Sequence, residues 1–156
     1  MTAVCVMVLG TTSGAGKSWL TTALCRHYAR LGLKVVPFKA QNMSNNARVV
    51  ATPGGGMGEI GSAQYFQALA ARVSPDVRMN PVLLKPSAGE TSQVVVMGSP
   101  VGHMTVREYQ AFQAEVWPVV TSAFERLRAS CDLVVLEGAG SSAEVNLRGS
   151  DIVNMR

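Results

Sequence analysis

The chain has 156 residues, 47% of them hydrophobic and 15% charged, with a formal net charge of +4 at neutral pH. That is one domain's worth of chain with enough apolar material for a core, and it excludes a disordered or low-complexity segment. The mild basic excess has no basic run behind it, so it suits a small anionic ligand at least as well as nucleic acid.

In chain order, "VCVMVL" (residues 4–9) is a continuous apolar run, as expected of a strand buried on both faces of a parallel sheet. It reads as a first strand and not as a signal peptide. A helical pattern starts near Lys17, with Leu20, Ala23, Leu24, Cys25, Tyr28 and Leu31 in phase, and Gly32 stops it. "KVVPFKA" (34–40) is a second short strand, which closes a right-handed strand–helix–strand unit. Residues 41–58 read as a long loop, of a length that is usually functional or disordered. A second helix follows, with Ile60, Ala63, Phe66, Leu69, Ala70 and Val73 on its expected core side. "NPVLLKP" and "QVVVMG" are two more extended segments. Thr105 and Glu108 have the spacing of a capping box. The helix they open carries Val106, Tyr109, Phe112, Val116, Val120, Phe124 and Leu127, with Pro118 expected to kink or split it. "DLVVLEGAG" (132–140) is a third buried strand, ending in a carboxylate and a glycine turn. No apolar run approaches membrane-spanning length, and no nucleic-acid or membrane partner is expected. Cys5, Cys25 and Cys131 lack metal or disulfide spacing and are expected to be reduced and mostly buried, as in a cytoplasmic protein.

The stretch "GTTSGAGKS" (Gly10, Thr11, Thr12, Ser13, Gly14, Ala15, Gly16, Lys17, Ser18) lies between the first strand and the first helix. Five residues separate Gly10 from Gly16, where the usual phosphate loop has four. Its backbone N–H groups and the helix N-terminus are suited to cradle a phosphate. Lys17 would reach the terminal phosphates of ATP, and the Ser18 hydroxyl would ligate Mg²⁺. Glu137, at the end of a valine-rich strand, is the expected second ligand of that ion. Lys39, at the end of the second strand, reads equally as a charge-neutralising cation and as a solvated strand terminus. Glu59 follows a glycine run at the expected start of a helix, where the helix dipole alone would favour an acid. His27 and His103 form neither a metal site nor a triad, and Trp19 and Trp117 read as core or subunit-contact residues.

The lengthened loop resembles that of the dethiobiotin synthetase group of P-loop enzymes, and Thr11 stands where partitioning ATPases carry a signature lysine. "PFKAQNMSNN", "GEIGSAQYFQALAARVSPDVRMNPVLLKP", "SQVVVMG", "VGHMTVREY" and "VVLEGAGSSAEVNLRGSDIVNM" are similar to consecutive motifs of the cobyric acid synthase family. The resemblance implies an α/β, P-loop NTPase-like, three-layer domain with a mostly parallel sheet, C-terminally incomplete. Residues 1–156 would be the first part of its synthetase domain, with a glutaminase domain outside this chain. The implied reaction uses ATP and Mg²⁺ to phosphorylate corrin-ring carboxylates of adenosylcobyrinic acid a,c-diamide. Ammonia derived from glutamine then turns each acyl phosphate into an amide, giving cobyric acid. The resemblance also implies phosphate binding by the loop and Lys17, Mg²⁺ at Ser18, Glu59 and Glu137, stabilisation of the carboxyl phosphate by Lys39, and substrate contact by Gln41 and Asn42. A cobyrinic acid a,c-diamide synthase, a dethiobiotin synthetase relative and a non-catalytic P-loop ATPase switch are the alternatives. This chain alone is expected to bind nucleotide weakly or not at all, to lack complete activity, and to form a homodimer or dissolve poorly because of an exposed apolar edge and face.

Overall fold

The computed structural model describes residues 2–140 and 152–154. The part of the last motif at residues 141–151 lies outside the described residues. The first sheet holds β1 (Val4–Val8), β2 (Val35–Phe38) and β9 (Leu133–Glu137), all parallel, in the order β1-β9-β2. Between β1 and β2 runs α1 (Lys17–Arg30), and ahead of β9 runs α3 (Val106–Arg128). The strands alternate between two cores. Val36, Phe38 and Val134 pack with Val116, Val120 and Leu127 of α3. Val8, Val35, Leu133 and Val135 pack with Cys25, Leu24 and Tyr28 of α1. A helix therefore covers each face, which is why β2 and β9 read as unbroken apolar runs.

β2 continues through Lys39 and Ala40 into β3 (Gln41–Met43), the edge of a second sheet. That sheet runs β3-β6-β7-β8, with β6 (Val82–Pro86), β7 (Thr91–Val96) and β8 (Ser99–Thr105). β3 and β6 are parallel, and β6, β7 and β8 are successively antiparallel. The joint is stitched by the backbone. Lys39 N–H donates to the Met79 carbonyl at 2.9 Å, and Val82 N–H donates to the Ala40 carbonyl at 3.2 Å. The buried Asn80 side chain completes the joint, donating to the Lys39 and Val82 carbonyls at 3.1 and 2.8 Å.

Several expectations are corrected. Residues 41–58 are not a loop: they contain β3, β4 (Ala47–Ala51) and the start of β5 (Met57–Gly61), and β4 and β5 form an antiparallel hairpin. The hairpin closes a small core of Val50, Ile60 and Val77. Ile60 and Glu59 are strand residues, not helical ones. β1 is not buried on both faces, because it is the edge of its sheet among the described residues; Val4 is 65% exposed and Cys5 is exposed too. Only Cys25 of the three cysteines is fully buried. Trp19 is 84% exposed and is not a core residue. His103 lies on β8, a strand the sequence reading missed. Pro118 does not split α3, which runs unbroken from Val106 to Arg128.

α2 (Ser62–Ala70) holds the largest surprise. Its inward residues are Gln64, Gln67 and Ala68, while Phe66 and Leu69, expected in the core, are about half exposed.

The Thr105 capping box forms as expected. Glu108 N–H donates to the Thr105 hydroxyl, and Thr105 N–H donates to the Glu108 carboxylate at 2.8 Å. Those hydrogen bonds hold the Glu108 carboxyl below its usual range. A depressed folded-state value means that this stabilisation is complete above the ordinary carboxylate range and is lost as pH falls through the depressed one. Thr105→Ala is expected to cost about 1 kcal/mol. The check is urea unfolding at neutral pH and again in acid, where the difference from wild type should shrink.

Candidate functional site

Glu137 closes β9, the middle strand, and is 2% exposed. A carboxylate buried this deeply is tolerated only with charged or hydrogen-bonding partners. It has three. Lys39 Nζ donates to Oε1 at 2.7 Å, and the Ser18 hydroxyl donates to the same oxygen at 2.8 Å. Gln67 Nε2 donates to Oε2 at 2.6 Å. The charge also reaches the Cys25 thiol, which burial first and Glu137 second push up to about 12.

The glycine-rich loop lies directly above. Gly14 and Gly16 take positive φ of 76° and 88°, which only glycine adopts without strain. Gly16 is the N-cap of α1, which has no side-chain cap and no acid in its first turn. Its leading N–H groups are thus left for an anion. Lys17 is nearly buried, and its ammonium donates to the carbonyls of Thr12 and Gly140 at 2.8 and 2.9 Å. Among the described residues it forms no ion pair. A nearly buried cation braced by neutral carbonyls beside an uncapped helix start is the arrangement a phosphate completes.

A cavity of about 540 Å³ joins these parts. Ser13, Gly14, Gly16, Lys17 and Ser18 form one wall, and Lys39, Gln41, Asn42 and Glu137 form another. Gly10, Thr11, Thr12 and Ala15 belong to the loop without lining the cavity. A side chain at Gly10 would press on the Lys17 stem at 3.0 Å, so Gly10 lets that lysine fold back across the loop. Ser18 Oγ and Glu137 Oε1 supply two adjacent oxygens. They fit Mg²⁺, which takes few protein oxygens and completes its octahedron with water and phosphate.

Glu59 is placed elsewhere. It lies on β5, its carboxylate accepts from Lys85 Nζ at 2.9 Å, and it does not line the cavity. The sequence reading also missed the residues behind the cavity wall. Tyr109 donates its hydroxyl to Gln41 Oε1 at 2.6 Å, and burial raises its pKa, which keeps that proton in place. Gln64 Oε1 accepts from Asn42 Nδ2 at 3.1 Å. A Cβ at Gly61 would press on the ends of the Asn42 and Gln64 side chains and force them to shift. The only sequence signal for this layer is a pair of glutamines three apart on a short helix.

Residues 6–141 match the family model described as the CobQ/CobB/MinD/ParA nucleotide binding domain. A cobyric acid synthase of Albidiferax ferrireducens is 69% identical over 156 residues, covering all of this chain and 31% of that protein. One of Paracidovorax citrulli is 66% identical over 156 residues, covering all of this chain and 32% of that protein. One of Methylibium petroleiphilum is 66% identical over 151 residues, covering 97% of this chain and 30% of that protein. The chain spans about a third of the length of these curated relatives. No solved structure matches it.

Proposed function

The chain belongs to the CobQ/CobB/MinD/ParA nucleotide-binding domain family, and on that premise we propose that it is the phosphate-handling part of an enzyme that amidates corrin-ring carboxylates at the expense of ATP. The observation that carries this is the convergence of Lys17, Ser18, Lys39 and Glu137 on one cavity. The names of its relatives supply the substrate class. Residues 1–156 are then the first part of the synthetase domain, working in the cytoplasm with ammonia that a glutaminase domain outside this chain releases from glutamine.

A carboxylate is a poor electrophile. In the proposed reaction one of its oxygens attacks the terminal phosphorus of ATP and ADP leaves, giving an acyl phosphate. Ammonia adds to the acyl carbon, phosphate departs, and the nitrogen loses a proton to leave the amide. The glycine loop and Lys17 hold the phosphates in line with the attacking oxygen, which is most of what phosphoryl transfer requires. Lys39 points its charge into the same cavity and offsets the negative charge that builds on the transferring group. Ser18 and Glu137 would hold Mg²⁺, which when bound would supply further positive charge to the phosphates. Gln41 and Asn42 face the incoming carboxylate. Glu59 would have to leave Lys85 to join them as a metal ligand. Beside the cavity, Ser18, Trp19, Thr22, Ala63 and Phe66 line an apolar hollow of about 290 Å³, and this wall suits the flat face of a macrocycle too large for the cavity.

The test supplies ammonium directly, with ATP, Mg²⁺ and a corrin a,c-diamide whose carboxylates carry ¹⁸O, to a protein of the relatives' length that contains this chain. One ADP per amide is expected, with one ¹⁸O transferred to each phosphate. Amide without label in the phosphate would exclude the acyl phosphate. ATP turnover unaffected by the corrinoid would favour a nucleotide switch instead.

A further inference from the structure

α2 is an amphipathic helix turned inside out. Phe66 and Leu69 face solvent, while Gln64 and Gln67 are fully buried. Burying an amide where leucine would serve is unfavourable unless the amide has work to do. Both glutamines reach cavity residues: Gln64 holds Asn42, and Gln67 holds Glu137. Each also leaves one polar atom without a hydrogen-bond partner, Nε2 of Gln64 and Oε1 of Gln67. The fold thus keeps two incompletely satisfied amides on the inward face of a nine-residue helix.

From this juxtaposition we infer that Gln67 is a positioning residue for Glu137, fixing the face that the carboxylate presents to the metal of the nucleotide. The inference rests on the proposed ATP reading. Its geometry is specific. Glu137 Oε1 is shared by Ser18 and Lys39, both of which line the cavity. Oε2 points away and is held by Gln67, which does not line it. With Oε2 tied back, Oε1 is the oxygen beside the Ser18 hydroxyl, so Glu137 would ligate a cation there through that one oxygen, the cation displacing the Ser18–Glu137 hydrogen bond. The amide cannot exchange its ends without setting its carbonyl against the carboxylate, so the charge of Glu137 also fixes the orientation of Gln67. Partners behind a metal ligand commonly act in this way, by orienting it and limiting its denticity.

The experiment is calorimetric titration of a protein of the relatives' length that contains this chain, with ATP in EDTA and with ATP in excess Mg²⁺, for wild type, Gln67→Met and Gln67→Glu. Methionine keeps the volume and removes the donor, and glutamate sets a second carboxyl against Glu137, where the two groups repel or share a proton. Wild type is expected to gain affinity when Mg²⁺ is added. In both variants the metal-free affinity should stay within about twofold of wild type, because the loop and Lys17 are untouched. The Mg²⁺-dependent gain should fall roughly 10- to 100-fold. An unchanged gain in both variants would overturn the inference. So would a parallel fall in both affinities, or loss of the folded state in both variants by circular dichroism, since each would make Gln67 a support for α2 alone. Wild-type protein that binds no ATP under either condition would instead remove the nucleotide reading, and this inference with it.

Discussion

Lys39→Met is expected to destabilise the chain by about 3–5 kcal/mol, the usual consequence of removing one partner from a buried ion pair. Glu137 is 2% exposed and Lys39 is 8% exposed, so water does little to screen the charge left behind. Ser18 and Gln67 still donate to Glu137, but they bring no positive charge. Glu137→Gln should cost less, because an amide at that position is neutral and the released lysine faces the cavity. The double variant should recover part of the Lys39→Met loss, and urea unfolding of the four proteins gives the coupling directly. A Lys39→Met loss below about 1 kcal/mol would place the pair with solvent-screened surface bridges and remove the case for a low-dielectric site.

Lys17→Ala should weaken Mg²⁺-ATP binding by roughly 10- to 100-fold, the equivalent of one or two charge-assisted hydrogen bonds to phosphate. Calorimetric titration beside wild type reads this, and the unfolding midpoint is expected to move little. Among the described residues the lysine's ammonium bonds to the Thr12 carbonyl of the loop and the Gly140 carbonyl just after β9. Equal affinity in the two proteins would mean that the loop binds anions through its backbone alone.

The parts of the site that a sequence can announce are those written in local pattern. Two valine-rich strands and a glycine loop between strand and helix located Lys17, Ser18 and Glu137, because each pattern is contiguous and has one physical explanation. The hairpin β4–β5 escaped notice because its turn, "TPGGG", and its neighbouring asparagines resemble an open loop, while Val50 and Ile60 are the only large apolar residues buried along it. β8 escaped because its residues are almost all exposed, so no alternation marks it. α2 misled for the opposite reason. Apolar periodicity identified the helix but assigned the wrong face inward, because periodicity assumes that the buried side is apolar. Buried glutamines break that assumption, and their partners, Asn42 and Glu137, are distant in sequence. The acid–lysine pair at Glu137 was legible as two separate candidates, but their contact was not, since it depends on strand order.

That strand order has a consequence for how the chain is made. β1 and β2 each bond to β9 and not to one another. On the ribosome β2 ends 95 residues, and β1 125 residues, before Leu133 opens the strand that joins them. Until β9 arrives, each has an open ladder facing a gap one strand wide. The interval cannot be shortened by local preference, because closing it means placing an apolar strand between two others that are far away in sequence. The three-stranded sheet is therefore a late, long-range event in folding. Glu137, the last residue of the strand to be inserted, meets Ser18, Lys39 and Gln67 in the same step that completes the sheet.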